Sequence, residues 1–368
     1  MSNTPPIVII GGGLAGSAAA IHLARAGHSP LLIERHSAPV HKVCGEFLSP
    51  GAVAELTALG VHFDHFGASR ITRLRLVDGA RIAEARLPFE ARGLSRFRLD
   101  EALLQCASEA GAVLRRGVAA RSLDGAVLSL DTGETVRPAT VFLATGKHEL
   151  RGAKRDSGNA PMIGFKMHYR PSPAAIAALR GRIDIMLFPG GYAGLQLVEN
   201  DIANLCLVVE RGSYAAAGGD WSGLIGMIAA RTPLLRGLLR DAEPMFTGPL
   251  AVANIPYGYR HRDRKAAAPP QLFRLGDQVA VIPSFCGDGM TIALHSARFA
   301  AETWLGSGSP AAYHPRFVGT LSRPFKAAAL LSHLAANTSG RAMLLGASRL
   351  FPATLGMAAR VTRLNRII

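Results

Sequence analysis

The chain has 368 residues, 49% hydrophobic and 18% charged, enough to bury the core of two domains or of one large discontinuous domain, which excludes disorder. Its 41 Lys+Arg against 26 Asp+Glu give a net charge of +15, which favours anionic ligands or an anionic membrane surface. No nucleic-acid module and no basic run with interleaved aromatics is present, so nucleic acid is not an expected partner.

Taken in chain order, Ile7 to Ile10 form a β-branched run ending in Gly11-Gly12-Gly13. "LAGSAAAIHLARAG" has helix-forming composition and stops at Gly27, and "PLLIER" is a second buried strand with Glu34 near its end. Strand, tight turn, helix and strand within about thirty residues make a βαβ unit. "SPGAVAELTALG" predicts a helix with Ser49 as N-cap and Pro50 at its first position. "ITRLRLV" and "IAEARLPF" alternate and pair across the turn at Asp78-Gly79. A helix over "RLDEALLQCASEAGA" follows, then strands near 112–115, 118–123 and 126–130, and the buried strand "TVFLATGK".

From about 160 the texture changes. "MIGFKMHY", "IDIMLF", "YAGLQLVE" and "ANLCLVVE" read as strands joined by glycine turns, with helices near 219–240 after them. "FRLGDQVAVI" returns to strand and turn, "GMTIALHSARFAAETWLG" is a helix opening at a glycine, and the remainder from about 310 is helical. The N-terminal "MSNTPPIVIIGGG" lacks a basic leader region, and no stretch approaches the roughly 18 apolar residues of a membrane span. The expectation is a soluble, cytoplasmic protein. Cys44, Cys106, Cys206 and Cys286 stand far apart without CxxC or metal-ligand spacing, so packed, reduced thiols and no metal are expected.

Gly11-x-Gly13-x-x-Gly16 follows a strand and opens a helix at Leu14 and Ala15. The first glycine permits the tight turn, the second lets a pyrophosphate approach, and the third permits close helix–strand packing. Free N–H groups at the helix start then meet the phosphates. Glu34 lies 18 residues after Gly16, where a carboxylate takes a ribose hydroxyl pair. Dinucleotide binding follows.

Three further segments distinguish the cofactor: "SRFRLDEALLQCASEAGA" with Arg96, "VFLATGK" with its Thr145-Gly146 turn, and "FRLGDQVAVIP" with Gly276-Asp277. Together they resemble the FAD-binding fold of the p-hydroxybenzoate hydroxylase and geranylgeranyl reductase superfamily, well over 7–150 and 270–303 and in strand pattern between. The resemblance implies an α/β chain. A Rossmann-like, GR2-type FAD-binding domain would occupy 1–70, 95–155 and 270–305. An inserted antiparallel-sheet substrate domain would occupy 71–94 and 156–269, with a C-terminal helical segment at 306–368. It also implies roles: Glu34 on the adenosine ribose, Arg35 beside the adenine, Val118 touching adenine through its backbone. Arg96 would lie near the ribityl–phosphate region, and Asp277 would bond the ribityl chain. Backbone N–H groups from Pro283 to Met290, Gly287 and Gly289 among them, would face the flavin pyrimidine edge, where they suit an anionic reduced ring.

"KVCGE" resembles the loop that wraps over the cofactor in the geranylgeranyl reductase branch, which would put Lys42, Cys44 and Gly45 in the cradle. A redox cysteine and plain loop packing are the other readings of Cys44. Asp288 stands where the family has glycine or glutamine. It is either an acid/base group or a carboxylate stabilised by the helix dipole.

The resemblance implies FAD, with NAD(P)H as reductant although no second nicotinamide fingerprint is present. No His or Cys stands in a recognisable covalent-attachment context, so the FAD is expected to be noncovalent. The leading expectation is a monooxygenase acting on an aromatic or polyketide-like apolar substrate through a flavin C4a-hydroperoxide. The alternatives are a geranylgeranyl-reductase-like ene-reductase of an isoprenoid or other lipid, and a non-catalytic flavin-binding protein. Phe188 and Tyr192 are candidate substrate-pocket residues, and no catalytic residue is assigned. The basic, apolar C-terminal stretch "RAMLLGASRLFPATLGMAARVTRLNRII" either covers an apolar substrate cavity, contacts an anionic membrane peripherally, or packs as a terminal helix pair.

Overall fold

Four apolar residues, Ile7–Ile10, become the central strand of a five-stranded parallel sheet, ordered Gln271–Arg274, Thr140–Leu143, Ile7–Ile10, Leu31–Glu34, Val113–Arg116. The computed structural model describes residues 7–156, 158, 160–262 and 270–364. The central strands are apolar without alternation because both faces are covered. On one face lie helices Leu14–Arg25, Arg96–Glu109 and Gly289–Leu305. On the other lies a three-stranded sheet built from Ala120–Asp124, Val127–Leu130 and Thr135–Val136. Fully buried Ala18, Ala19 and Ala20 leave the first helix slim enough to pack against the Gly289–Leu305 helix at its own small residues Ala297, Ala300 and Ala301.

A nine-stranded sheet forms the second layer, with Glu243–Pro244, Met162–Arg170, Ala203–Glu210, Gly191–Leu197, Arg182–Phe188, Ser69–Asp78, Arg81–Gly93 and Phe47–Leu48 in path order. Leu250–Val252 pairs with Met162–Arg170 off this path. All its pairs are antiparallel except Arg182–Phe188 with Ser69–Asp78, the junction between the hairpin at 69–93 and the strands beyond 160. The fold is therefore the α/β, FAD-enzyme type that the resemblance implies. One detail differs from the expected division: Phe47–Leu48, within the segment assigned to the cofactor domain, pairs with Arg92 and Gly93 of the second sheet.

Side chains alternate across this sheet with period two. Phe165, Met167, Leu195, Leu197, Leu205 and Leu207 point to the face covered by Pro173–Leu179, Trp221–Arg231 and Pro233–Leu239. Gly164, Lys166, Gly194, Gln196 and Cys206 point the other way; all but Lys166, which is fully buried on Glu46, line a large cavity beside the cofactor domain. That parity corrects one expectation. Phe188 is completely buried on the helix-covered face, and its neighbour Leu187, paired with Tyr192, faces the opposite side. Tyr192 reaches the cavity and Phe188 does not.

The C-terminal helices Ser322–Ala336, Thr338–Leu350 and Ala353–Val361 close the cavity side of the sheet through Ala335, Leu345 and Leu355 packed on Leu76 and Leu187. Buried Arg341 anchors them, 3.6 Å from the Asp78 carboxylate and donating to the carbonyls of Ala335 and Ala336.

At Gly16 an added Cβ would stand 1.9 Å from the Gly11 carbonyl oxygen. Backbone cannot yield as a flexible side chain does, so Gly16→Ala should destabilise the fold by about 3 kcal/mol. A urea-unfolding midpoint equal to wild type would contradict this packing.

Candidate functional site

The glycine turn is built for close approach. Gly11 has φ +105°, and a Cβ there would sit 2.6 Å from the Ala144 carbonyl oxygen, so the turn presses against the end of the adjacent strand. Gly13 is different: a Cβ there would meet no backbone, only Arg96 Nη2 at 3.4 Å and Lys42 Nζ at 3.8 Å. The space before the helix N-terminus thus faces a guanidinium and an ammonium. Both cations are held by buried Asp100, which accepts from Arg96 at 2.5 and 2.8 Å and lies 2.8 Å from Lys42. Burial alone would raise the Asp100 pKa, but Arg96 and Lys42 hold it below the usual carboxylate value. Two cations on one carboxylate leave a net positive charge at the turn. This fits a pyrophosphate.

Glu34 is buried at the end of its strand, accepting from the Gly12 N–H at 2.7 Å and the His36 N–H at 3.0 Å. Beside it, Arg35 reaches His148 at 2.8 Å, and the Val118 N–H donates to the Glu34 carbonyl at 3.2 Å. Val118 itself is packed inward, and Ala119, Ala120 and Arg121 line the cavity at this end. Thr145-Gly146 and Asp277 line the middle, where Asp277 takes Lys147 Nζ at 2.9 Å. Burial would raise the Asp277 pKa, but Lys147 beside it keeps it low. Gly11, Gly13, Leu14, Ala15, Glu34 and Arg35 share this cavity with Lys42, Cys44, Gly45 and Arg96. Gly287, Gly289 and Met290 close its far wall. These side chains and turns fit an extended FAD.

The loop at 41–46 crosses between the two sheets. Its fulcrum is Glu46, fully buried at φ 56°, in the left-handed region that costs a non-glycine residue about 1–2 kcal/mol. Three donors offset that cost. Lys166, also fully buried, pairs with Glu46 Oε1; the Arg96 N–H donates to the same oxygen at 2.7 Å; His168 Nε2 lies 2.8 Å from Oε2. Burial alone would push the Glu46 pKa up, and Lys166 and His168 more than reverse it, leaving it below the ordinary value. The second sheet also grips the loop backbone. Asn204 Nδ2 donates to the Cys44 and Gly45 carbonyls at 3.1 and 2.9 Å, and Gln196 Nε2 to the Glu46 carbonyl at 2.9 Å.

Cys44 is half-buried in this loop. Its sulfur accepts from the Glu46 N–H at 3.4 Å and lies 3.9 Å from Met290 Sδ. Burial pushes the Cys206 and Cys286 thiols up to about 12, so both stay protonated. His41, Glu46 and His168 bring ligand atoms within 4.8 Å of one another, yet the Lys166 ammonium on the same carboxylate opposes a metal cation.

Asp288 is completely buried and does not line the cavity. Its carboxylate accepts from Ser49 and Thr291 hydroxyls at 2.7 Å each and from the Leu364 N–H at 2.7 Å, with Arg363 at 3.5 Å. It stands at the N-cap of the Gly289–Leu305 helix, as the dipole reading has it, and not in the cavity as an acid/base group would. It faces away from the cofactor space and ties the C-terminal segment to the cradle, and Ser49 spends its hydroxyl here rather than on its own helix. Pro283 likewise stands behind the wall, while Ser284, Phe285 and Cys286 reach the cavity.

The cavity, of about 1250 Å³, continues beyond the cradle into a chamber walled by Leu74, Leu76, Ile183, Ile185, Val208 and Leu344. At the junction Tyr192 and Tyr257 both hydrogen-bond to the Ser284 hydroxyl. Both phenols look into the cavity but are enclosed by protein. Burial pushes Tyr257 up to about 12 and Tyr192 well above its ordinary value.

Lys166, Gln196, Asn204, Tyr257 and Lys147 were not picked from sequence. For the first three a signal existed: polar residues at one parity in otherwise apolar strands, as in "GFKMH", "LQL" and "NLC". Tyr257 comes from an irregular segment and left none.

Residues 6–76 match the model of the family described as "FAD dependent oxidoreductase". The chain is 26% identical to menaquinone reductase of Mycolicibacterium smegmatis over 84% of its length and 78% of that protein's. It is 28% identical to a probable electron transfer flavoprotein-quinone oxidoreductase of Escherichia coli, over 83% of this chain and 78% of the relative. Flavin-dependent brominase Bmp2 has the same fold, with TM-score 0.79, 18% identity and coverage of 98% of this chain and 93% of that one. These likenesses agree with the resemblance read from the motifs.

Two substitutions separate cofactor binding from folding. A Cβ at Gly13 meets only the flexible ends of Arg96 and Lys42, so Gly13→Val should fold and lose FAD; retained flavin would contradict the assignment of that space. Glu46→Gln leaves Lys166 buried without a counter-charge and should cost about 3 kcal/mol or more in urea unfolding. Because the folded pKa of Glu46 is depressed, its contribution is complete above the ordinary value of 4.5 and is lost as pH falls through the folded value. The wild type should therefore shed this increment in acid and the variant should not; parallel pH–stability curves would contradict the pairing.

Proposed function

Because the chain is an FAD-dependent oxidoreductase, we propose that it is a reductase that adds two hydrogens to an unsaturated, isoprenoid-type lipid such as a prenylated quinone. The observation that carries this reading is the apolar chamber joined to the cradle. The cavity of about 1250 Å³ spans both the cradle and this chamber, and the chamber's apolar wall suits an extended apolar substrate beyond the cofactor's turn. The two relatives compared above, each spanning over four-fifths of the chain, are named for menaquinone and quinone chemistry, which favours reduction over hydroxylation. NAD(P)H, or another two-electron donor, is the proposed reductant.

Glu34, Arg35, Lys42, Arg96 and Asp277 would hold FAD along the cradle, and the flavin would supply the hydride. The chain's own contribution is positioning, dryness and a proton. Leu74, Leu76, Ile183 and Ile185 hold an apolar chain against the sheet and exclude water. Tyr257 Oη and Tyr192 Oη stay protonated through the physiological range and give up a proton only to a strongly basic atom created by hydride addition. The N-terminus of the Gly289–Leu305 helix favours negative charge on the cofactor's side, and Asp288 does not cancel it because its carboxylate is turned to Ser49 and Leu364.

The enzyme reduced under strict anaerobiosis and mixed with a prenylated naphthoquinone should regain oxidised-flavin absorbance and yield a product two hydrogens heavier. A product that gains an oxygen atom, and only after air is admitted, would establish hydroxylation instead. Tyr257→Phe should keep its FAD and slow this reoxidation about a hundredfold. An unchanged rate would remove Tyr257 from the proton path.

A further inference from the structure

We infer that the bent corner between helices Thr338–Leu350 and Ala353–Val361 docks on an anionic phospholipid bilayer and opens the apolar chamber toward it. The two helices meet at 119°, and at the bend Leu350 and Phe351 are 76% and 65% exposed. The described residues leave most of the surface of these large apolar side chains uncovered. Met343, Met357 and Val361 are more than half exposed and also line the cavity, so the outer patch and the chamber share residues. A lipid entering between them need not cross water.

Charge selects the occupant. After Glu302 the sequence holds eight Lys+Arg and no Asp or Glu. Arg341 and Arg363 are spent on Asp78 and Asp288, while Arg323, Lys326, Arg349 and Arg360 are exposed. A second copy of the chain meeting this patch through a twofold interface would set the same cations against each other. An anionic bilayer surface complements both the cations and the apolar side chains between them. No single helix among the described residues is long and apolar enough to cross a membrane, so the corner lies in the interface. The inference extends the proposed activity, but its test reads binding alone.

The full chain with its flavin is floated with vesicles of phosphatidylcholine, with and without phosphatidylglycerol. Flotation should require phosphatidylglycerol and weaken with salt. Leu350→Asp with Phe351→Asp should weaken it roughly tenfold or more at unchanged flavin content. Arg349→Glu with Arg360→Glu should do the same. Absent flotation, flotation indifferent to phosphatidylglycerol, or flotation untouched by either double variant overturns the inference. So does a concentration-dependent dimer abolished by Leu350→Asp with Phe351→Asp. If vesicle binding holds while the anaerobic quinone assay fails, the surface stands and the reductase reading falls.

Discussion

A carboxylate buried between an ammonium and an imidazole holds the two halves of this protein together. Glu46 belongs to the loop that follows the second strand of the cofactor sheet, and Lys166 and His168 belong to a strand of the other sheet. Taking such charges out of water is expensive, and the pairing recovers the cost only because the remaining lone pairs are also used. The Arg96 N–H supplies one of those bonds and carries the constraint into the cradle, because the Arg96 side chain faces Gly13 beside Lys42. A backbone in the left-handed region, a buried ion pair and the cations at the glycine turn are therefore one connected arrangement.

The cavity inherits its character from that seam. On the cofactor side, charges are paired but biased positive. The chamber wall is mostly apolar, its polar members being the tyrosines on Ser284 and, from the C-terminal segment, Ser348, Thr354, Thr362 and Arg363. The change follows from strand parity, because the sheet face that turns to the loop polar Lys166, Gln196 and Asn204 turns to the chamber Ile183, Ile185 and Val208. Asp288 adds a second tie, from the start of the Gly289–Leu305 helix to the segment that roofs the chamber. The roof and the cofactor wall are thus fixed to one buried carboxylate.

The βαβ unit, the glycine turn and Glu34 were legible because local sequence alone dictates them: an apolar run, a turn only glycine can make, a helix of alanines. Most other cradle residues came from the resemblance to the FAD-binding superfamily. The clamp was not legible, since "KVCGE" shows its glutamate but not the lysine 120 residues later that neutralises it. Phe188 was picked together with Tyr192 as an aromatic of the second sheet, and only the register of Leu187 with Tyr192 says which face each takes. Asp288 was read by its neighbours in sequence, whereas its partners Ser49 and Leu364 come from opposite ends of the chain.

If the seam governs the cradle, damage on the substrate-sheet side must reach the cofactor without touching it. The direct measurement is the FAD dissociation constant of Lys166→Met, a variant of similar volume on the strand across from the loop, determined by fluorescence titration of the folded apoprotein. Loss of the ammonium leaves Glu46 uncompensated and frees the loop that carries Lys42 and Cys44, so FAD affinity should fall about tenfold or more. Wild-type affinity in a folded Lys166→Met protein would show that the cradle is set without the clamp.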